Sequence, residues 1–359
     1  MSGAANATEG PAPPRVLVVG AGAVGSFLAG TLAQGGLEVT LVDRRAPAVA
    51  SARIDVVGPG SRRFSAPVTR IGSFDGVAAA PGLIVFAVKM FDLPAAIAQC
   101  SGWPEAIGLT IQNGVGAEET VRALRPMAGL VAGSVTAPIE CGPGGEVCWR
   151  NRGGIGLAAV HGPVDRAIDE LIAAFGVAGL PARRLADARA MKWSKLLANL
   201  VGNATSALLD RDPPEVYADP ALFAIERRQL LEALAVMRAL RIDVVALPGA
   251  DVRLLAFAAR LPAPLSRAIL RRVVGRARGG KMPSLRRHLR EGAGLSEVGW
   301  LNGAVAREGA RHGVPAPVNR RLAELVDEAV ADCDLRERLA GHPDRVVAAV
   351  ATSRAGEAI

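Results

Sequence analysis

Along the first fifty residues the apolar positions change period twice. Val16 to Val19 form an unbroken β-branched and leucine run, suited to a strand covered on both faces, and Phe27, Leu28 and Leu32 then recur at helical spacing. A second strand follows through Leu41 and Val42. Two further apolar runs stop at polar groups: Leu83 to Val88 ends at Lys89, and the strand of GLTIQNGVG ends at Gln112, Asn113 and Gly114. GSVTAPIECGPGGEVCWRNRGGIGLAAV is glycine-rich with short β-prone pieces, which predicts strands that complete the same sheet. From about Pro181 the period becomes helical, in ARAMKWSKLLANLVGNATSALL, LFAIERRQLLEALAVMRAL and VNRRLAELVDEAVADC, with breaks at ALPGAD, RLPAPL and RARGGKMPS. The pattern predicts a flexible tail over 1–14, an α/β domain over 15–180 and an all-helical domain over 181–359.

Gly20, Gly22 and Gly25 stand in G-x-G-x-x-G spacing between the first strand and the first helix. The first permits a tight turn, the second lets a pyrophosphate approach, and the third lets helix and strand pack closely. In this context Gly20, Gly22, Ala23, Val24 and Gly25 are candidate dinucleotide contacts, and the α/β half is expected to be a Rossmann domain. The end of the second strand carries two opposed signals. Asp43 is placed to accept hydrogen bonds from ribose hydroxyls and to repel a 2′-phosphate, whereas Arg44 and Arg45 offer guanidinium forks to one. Lys89 and Asn113, at strand C-terminal ends, are candidates for contact with cofactor or substrate.

In the helical half, Lys195, Asn199 and Asn203 are four residues apart and can share one stripe of a helix, facing either solvent or a cleft. Ser284 follows a proline and is placed to begin a helix. Glu297 precedes Val298, Trp300 and Leu301 at the start of another, so capping and first-turn roles compete with roles in a site. Asn302 and Gly303 suit interhelix packing.

Composition narrows the classes. With 359 residues, half of them hydrophobic, the chain can bury two cores and is not disordered. Cys100, Cys141, Cys148 and Cys333 show neither metal-ligand nor disulfide spacing, so no metal is expected and a reducing cytoplasm fits. The opening MSGAANATEGPAPPR lacks the form of a secretion signal, and glycines interrupt the apolar stretch from Val16 to Leu32, so no membrane span is expected. The net charge of +8, from 42 basic against 34 acidic residues, concentrates in RRVVGRARGGKMPSLRRHLRE. That run contains no aromatic stacking platform, which argues against nucleic acid and for a solvated face or one that attracts an anionic cofactor.

Taken in order, GAGAVG, AVKMFD, IQNGVG, KWSKLLANLVGNATSALL, KMPSL, SEVGWLNGAV and GVPAPVNRRL resemble the ketopantoate reductase (2-dehydropantoate 2-reductase) family over most of the chain. The resemblance implies an N-terminal Rossmann domain, a helical C-terminal domain, and an active site in the cleft between them. It implies that Lys195 is the general acid, that Asn113, Asn199, Asn203 and Ser284 bind substrate, and that Lys89 lies on the cofactor side. Glu297 would contact the substrate hydroxyl, and would also keep Lys195 charged were the two within a few ångströms. Arg44 matches the residue that meets the 2′-phosphate, which implies NADPH, with NAD left open by Asp43. The implied reaction is NADPH-dependent reduction of 2-dehydropantoate to pantoate, toward pantothenate and coenzyme A. Gly299 and His288 stand where the family usually carries aspartates, and the segment between Val245 and Gly280 is longer than in compact members. Reduction of another 2-oxo acid or an imine therefore stays open, as does a dinucleotide-binding sensor or nucleic-acid-associated protein without turnover. A homodimer through the helical half is the expected assembly.

Overall fold

The computed structural model describes residues 14–46, 48–150, 153–277, 282–292 and 294–351. The tail expected over 1–14 lies outside them but for Pro14, as does Lys281 of KMPSL. The first strand, β1 (Arg15–Val19), leads through the glycine turn into α1 (Ala23–Gln34) and β2 (Glu38–Val42). A hairpin of β3 (Val49–Val57) and β4 (Arg63–Ile71) comes next, then β5 (Leu83–Phe86), α2 (Leu93–Gln99), β6 (Ile107–Thr110), α3 (Ala117–Leu124) and β7 (Gly129–Val135). The half closes with β8 (Ile139–Cys141), β9 (Val147–Trp149), β10 (Ile155–His161), α4 (Asp165–Ala178) and β11 (Ala182–Arg184).

These strands form one eleven-stranded sheet in the order β11-β10-β7-β6-β5-β1-β2-β4-β3-β9-β8. The centre, β7 to β2, is parallel, while β3/β4, β7/β10 and β8/β9 are antiparallel. The glycine-rich segment thus adds strands to both edges, as its pattern predicts. β1 shows why its sequence has no polar position. Val16 and Val18 pack with Phe27, Leu28 and Leu32 of α1, while Leu17 and Val19 pack with Leu93 and Ile97 of α2 and Val121 of α3 on the other face. Because β2 and β5 flank β1 and the chain leaves it in both directions, the crevice beyond its C-terminal end is the sheet's switch point, where ligands of such folds bind.

The helical half comprises α5 (Ala188–Leu200), α6 (Ala204–Leu209), α7 (Pro213–Ala218), α8 (Pro220–Ala239), α9 (Val252–Arg260), α10 (Ala263–Ala277) and α11 (Ser284–Arg290). α12 (Asn302–Arg311), α13 (Pro317–Ala331), α14 (Cys333–Leu339) and α15 (Pro343–Ala351) follow. The segment between 245 and 280 is therefore largely two helices, and the chain past Leu322 completes α13 and adds two more. No helix among the described residues is long and apolar enough to cross a membrane. α5 starts where the Asp187 side chain accepts the backbone N–H groups of Arg189 and Ala190, at 2.7 and 3.1 Å. Such a cap is worth about 1 kcal/mol.

The helix expected to run through Asn203 ends at Leu200 instead. Gly202 takes φ +55°, and α6 begins beyond it. Glu226 of α8, fully buried, offsets the break by accepting the Gly202 N–H at 2.7 Å and the hydroxyls of Thr205 and Tyr217 at 2.6 and 2.8 Å. Asn302 donates to Gln229 and Asn319, at 2.8 and 3.0 Å, tying α12 to α8 and α13 in the packing role expected of it.

Candidate active site

Gly20 takes φ +109°, and a Cβ there would lie 3.0 Å from the Ala87 carbonyl carbon and oxygen. A Cβ on Gly25 would lie 1.8 Å from the Gly20 carbonyl oxygen, so α1 can start this close to β1 only with glycine. Around Gly22 nothing comes within 4 Å of a Cβ position. Ala23 and Val24 open α1, whose N-terminus has no side-chain cap and no acidic residue in its first turn. Free amides, open space and the positive end of a twelve-residue helix suit a pyrophosphate.

At the end of β2, Asp43 turns inward and Arg44 outward. The carboxylate, 3% exposed, accepts the backbone N–H of Arg45 at 3.1 Å and Nε of Arg45 at 3.2 Å, and it pairs with Arg70 of β4. Burial pushes the Asp43 pKa up, but the Arg45 backbone N–H and the Arg70 and Arg45 guanidinium groups outweigh it and hold the carboxyl below its ordinary range. Arg44 is exposed, with no guanidinium hydrogen bond to a described residue. Arg70 was not legible as a member of this cluster; its strand joins β2 only through tertiary pairing.

The other end of the crevice gathers both halves of the chain. Asn199 of α5 donates to Asn113 Oδ1 at 3.1 Å. Lys89, at the end of β5, donates to Glu297, which is 8% exposed and lies just before a 3₁₀ turn, Val298–Trp300. Among the described residues, the cation paired with Glu297 is Lys89. Glu297 makes no capping hydrogen bond with its side chain, so the first-turn capping role gives way to this ion pair. The IQNG loop reaches the same turn: Val115 N–H donates to the Trp300 carbonyl at 3.2 Å. Gly114, at φ +85°, packs so closely that a Cβ would lie 2.3 Å from that carbonyl oxygen.

Lys195 is half-buried on α5, on the side of the helix that carries Asn199. Asn203 leaves the expected stripe, because the helix stops before it. It is 4% exposed, and its Oδ1 accepts the Leu285 N–H at 3.3 Å, at the start of α11. Ser284 is the first residue of α11, and the cap position before it is Pro283 rather than the serine. Gly299 has open space around it, and the Nε2 of His288 is buried with no hydrogen-bond partner among the described residues. Part of the basic run is paired internally: Arg286 and Arg290 hold Asp210, at 2.8 and 2.7 Å, and Arg286 also pairs with Asp212.

Lys192 is the residue that sequence reasoning missed. It is 3% exposed and forms a buried ion pair with Glu118 at 3.1 Å. A lysine beside a tryptophan and before another lysine reads as a surface position. Its only signal is that Ala190, Met191 and Trp193 around it suit an interior face.

A glycine turn at the switch point of a largely parallel sheet, with Asn199 of the helical half meeting Asn113 at a strand end, is the architecture of an NAD(P)H-dependent oxidoreductase. The family model described as "Ketopantoate reductase PanE/ApbA" matches residues 16–162, and the one for its C terminal matches residues 187–330. The chain belongs to the ketopantoate reductase family, whose members act on a 2-oxo or 2-hydroxy acid with a nicotinamide cofactor. A 2-dehydropantoate 2-reductase of Halobacterium salinarum is 29% identical over 326 residues, 89% of this chain and 99% of the relative. The crystal structure of a PanE/ApbA family ketopantoate reductase from Ralstonia eutropha superposes with a TM-score of 0.72 at 26% identity, covering 90% of this chain and 99% of that one. D-mandelate dehydrogenase, solved with NADH and anilino(oxo)acetate, shares the fold with a TM-score of 0.70 at 20% identity, over 89% of this chain and 99% of that one.

Proposed function

We propose that this ketopantoate reductase family member reduces 2-dehydropantoate to pantoate with NADPH, and that Lys195 is its general acid. The observation that carries the reading is that the two halves meet in two pairs at the strand ends, Lys89 with Glu297 and Asn113 with Asn199, with Lys195 one helical turn before Asn199. Gly20, Gly22, Ala23, Val24 and Gly25 hold the pyrophosphate, and Arg44, with Arg45 and Arg70 beside it, meets the 2′-phosphate. Asp43 already accepts from Arg45 and Arg70, which leaves its oxygens poorly placed to take ribose hydroxyls and favours the phosphorylated cofactor. When bound, the reduced nicotinamide supplies a hydride to the 2-oxo carbon.

Lys195 stabilises the negative charge that develops on the oxo oxygen and donates the proton to it. Glu297, held by Lys89, accepts a hydrogen bond from the substrate hydroxyl. Asn113 and Asn199 orient the substrate with neutral donors and acceptors that add no further charge. Asn203 and Ser284, brought together at the start of α11, complete the substrate side.

A second reading, the same chemistry on another 2-oxo acid, is favoured by the open space at Gly299. The initial rates of NADPH and NADH oxidation with 2-dehydropantoate, measured side by side, test both. Rapid oxidation of NADPH alone is the expected result, and Lys195→Ala should lower turnover by about 100-fold or more. Full activity in a folded Lys195→Ala protein would overturn the acid assignment. Oxidation seen only with other 2-oxo acids would move the substrate to the second reading.

A further inference from the structure

Lys192 takes no part in the proposed chemistry, yet it is the buried cation that joins the two halves. Its ammonium donates to the Gln112 carbonyl at 2.9 Å and the Gly133 carbonyl at 3.2 Å, and it meets Glu118 Oε1 at 3.1 Å. Glu118 also accepts the Thr110 hydroxyl at 2.5 Å. Two opposite charges taken out of water gain little net stability, because desolvation consumes most of their attraction. A hydrophobic pair would fill this space as well. What the charged pair adds is direction, since an ammonium with three oxygen partners fixes the position of each.

One of those partners extends the contact. The Gln112 side chain donates to the Phe86 and Val88 carbonyls at 2.7 and 3.1 Å, and its Oε1 accepts the Ile111 N–H at 3.1 Å. The chain of contacts therefore starts on α5 one turn before Lys195. It grips the main chain immediately before Asn113 and ends on the carbonyl immediately before Lys89. We propose that Lys192, with Gln112 as its relay, is a positioning group that sets the reach between the helix carrying Lys195 and Asn199 and the strand ends carrying Lys89 and Asn113. The roles of those four residues rest on the reaction proposed above; the mechanical link does not.

Lys192→Met alone would strand the Glu118 carboxylate, so the decisive variant is Lys192→Met/Glu118→Gln, which removes both charges and keeps the volumes. The expected result is a folded protein with NADPH affinity within about 2-fold of wild type and kcat lower by about 10-fold to 100-fold, the scale of a small misplacement of reacting groups. Amide exchange over 112–115 should rise by about 10-fold or more as the loop loosens. Should the double variant not fold, Gln112→Met cuts the relay while leaving the ion pair, with the same expected loss of kcat and the same loosening. Wild-type kcat together with unchanged exchange in a folded variant overturns the proposal. Absence of turnover in the wild type would defeat only the assigned reaction, and the exchange at 112–115 would then decide whether Lys192 positions the loop.

Discussion

Asp210 shows how one carboxylate can be asked to restrain a basic segment. It takes φ +53°, accepts from Nε and Nη2 of Arg290, each at 2.7 Å, and pairs with the buried Arg286 at 2.8 Å. The Arg290 hydrogen bonds, helped by Arg286 and opposed by burial, hold its carboxyl below the ordinary 3.8. A group whose folded pKa is depressed contributes stability that is complete above its unfolded pKa and is lost as pH falls through the folded value. Because the side chain is 40% exposed, solvent screening limits the contribution to about 1 kcal/mol. Asp210→Asn should therefore lower the melting temperature by about 2 °C at neutral pH. The gap to wild type should close as pH drops well below 3.8, where the wild-type carboxyl is protonated too. Calorimetric scans at several pH values check this. A gap that persists at acid pH would mean that Asp210 stabilises the fold by something other than its ion pairs.

At the scale of elements, what was legible is what sequence-local sterics fix. Much of the G-x-G-x-x-G turn's fit is local: Gly25 abuts Gly20 five residues away, and Gly22 faces open space, although Gly20 also meets Ala87 of the neighbouring strand's end. That contrast separates two substitutions of the same size. Gly22→Ala should leave thermal stability within about 1 °C of wild type while weakening dinucleotide binding by about 10-fold, because the methyl occupies only the space a pyrophosphate needs. Gly25→Ala should destabilise the fold by about 1–3 kcal/mol, because its methyl must displace backbone. Titration with the dinucleotide alongside thermal melts distinguishes them, and equal effects of the two would refute the assignment of Gly22 to the ligand. The helix of Lys195 was legible in period but not in length. A glycine within VGN is compatible with a continuing helix, and the group that supports the break, Glu226, comes from another helix. Distance in sequence also hid the partner of Glu297. Lys89 lies 208 residues away, so charge alone could not choose between it and Lys195.

At the scale of the whole molecule, the halves that the hydrophobic period separates are built on one another. β11 belongs to the sheet, and α5 begins only four residues after it and lies on β7 and β10. Ala132 and Ala158 of those strands, both fully buried, belong to the core of the helical half. The buried Lys192 that answers Glu118, Gln112 and Gly133 comes from that half as well. A fragment ending at residue 186 would uncover the apolar face of β7 and β10. It would also remove the cation that answers Glu118, so the contact that joins the halves at this point is lost with the apolar cover. The fragment should therefore show no cooperative melt and should aggregate, although it contains every proposed dinucleotide contact. The full chain should unfold in a single calorimetric transition whose van't Hoff and calorimetric enthalpies agree. A fragment that melts cooperatively and binds dinucleotide like the full chain would show that the α/β half is an independent domain. The crossing contacts would then be a docked interface rather than a shared core.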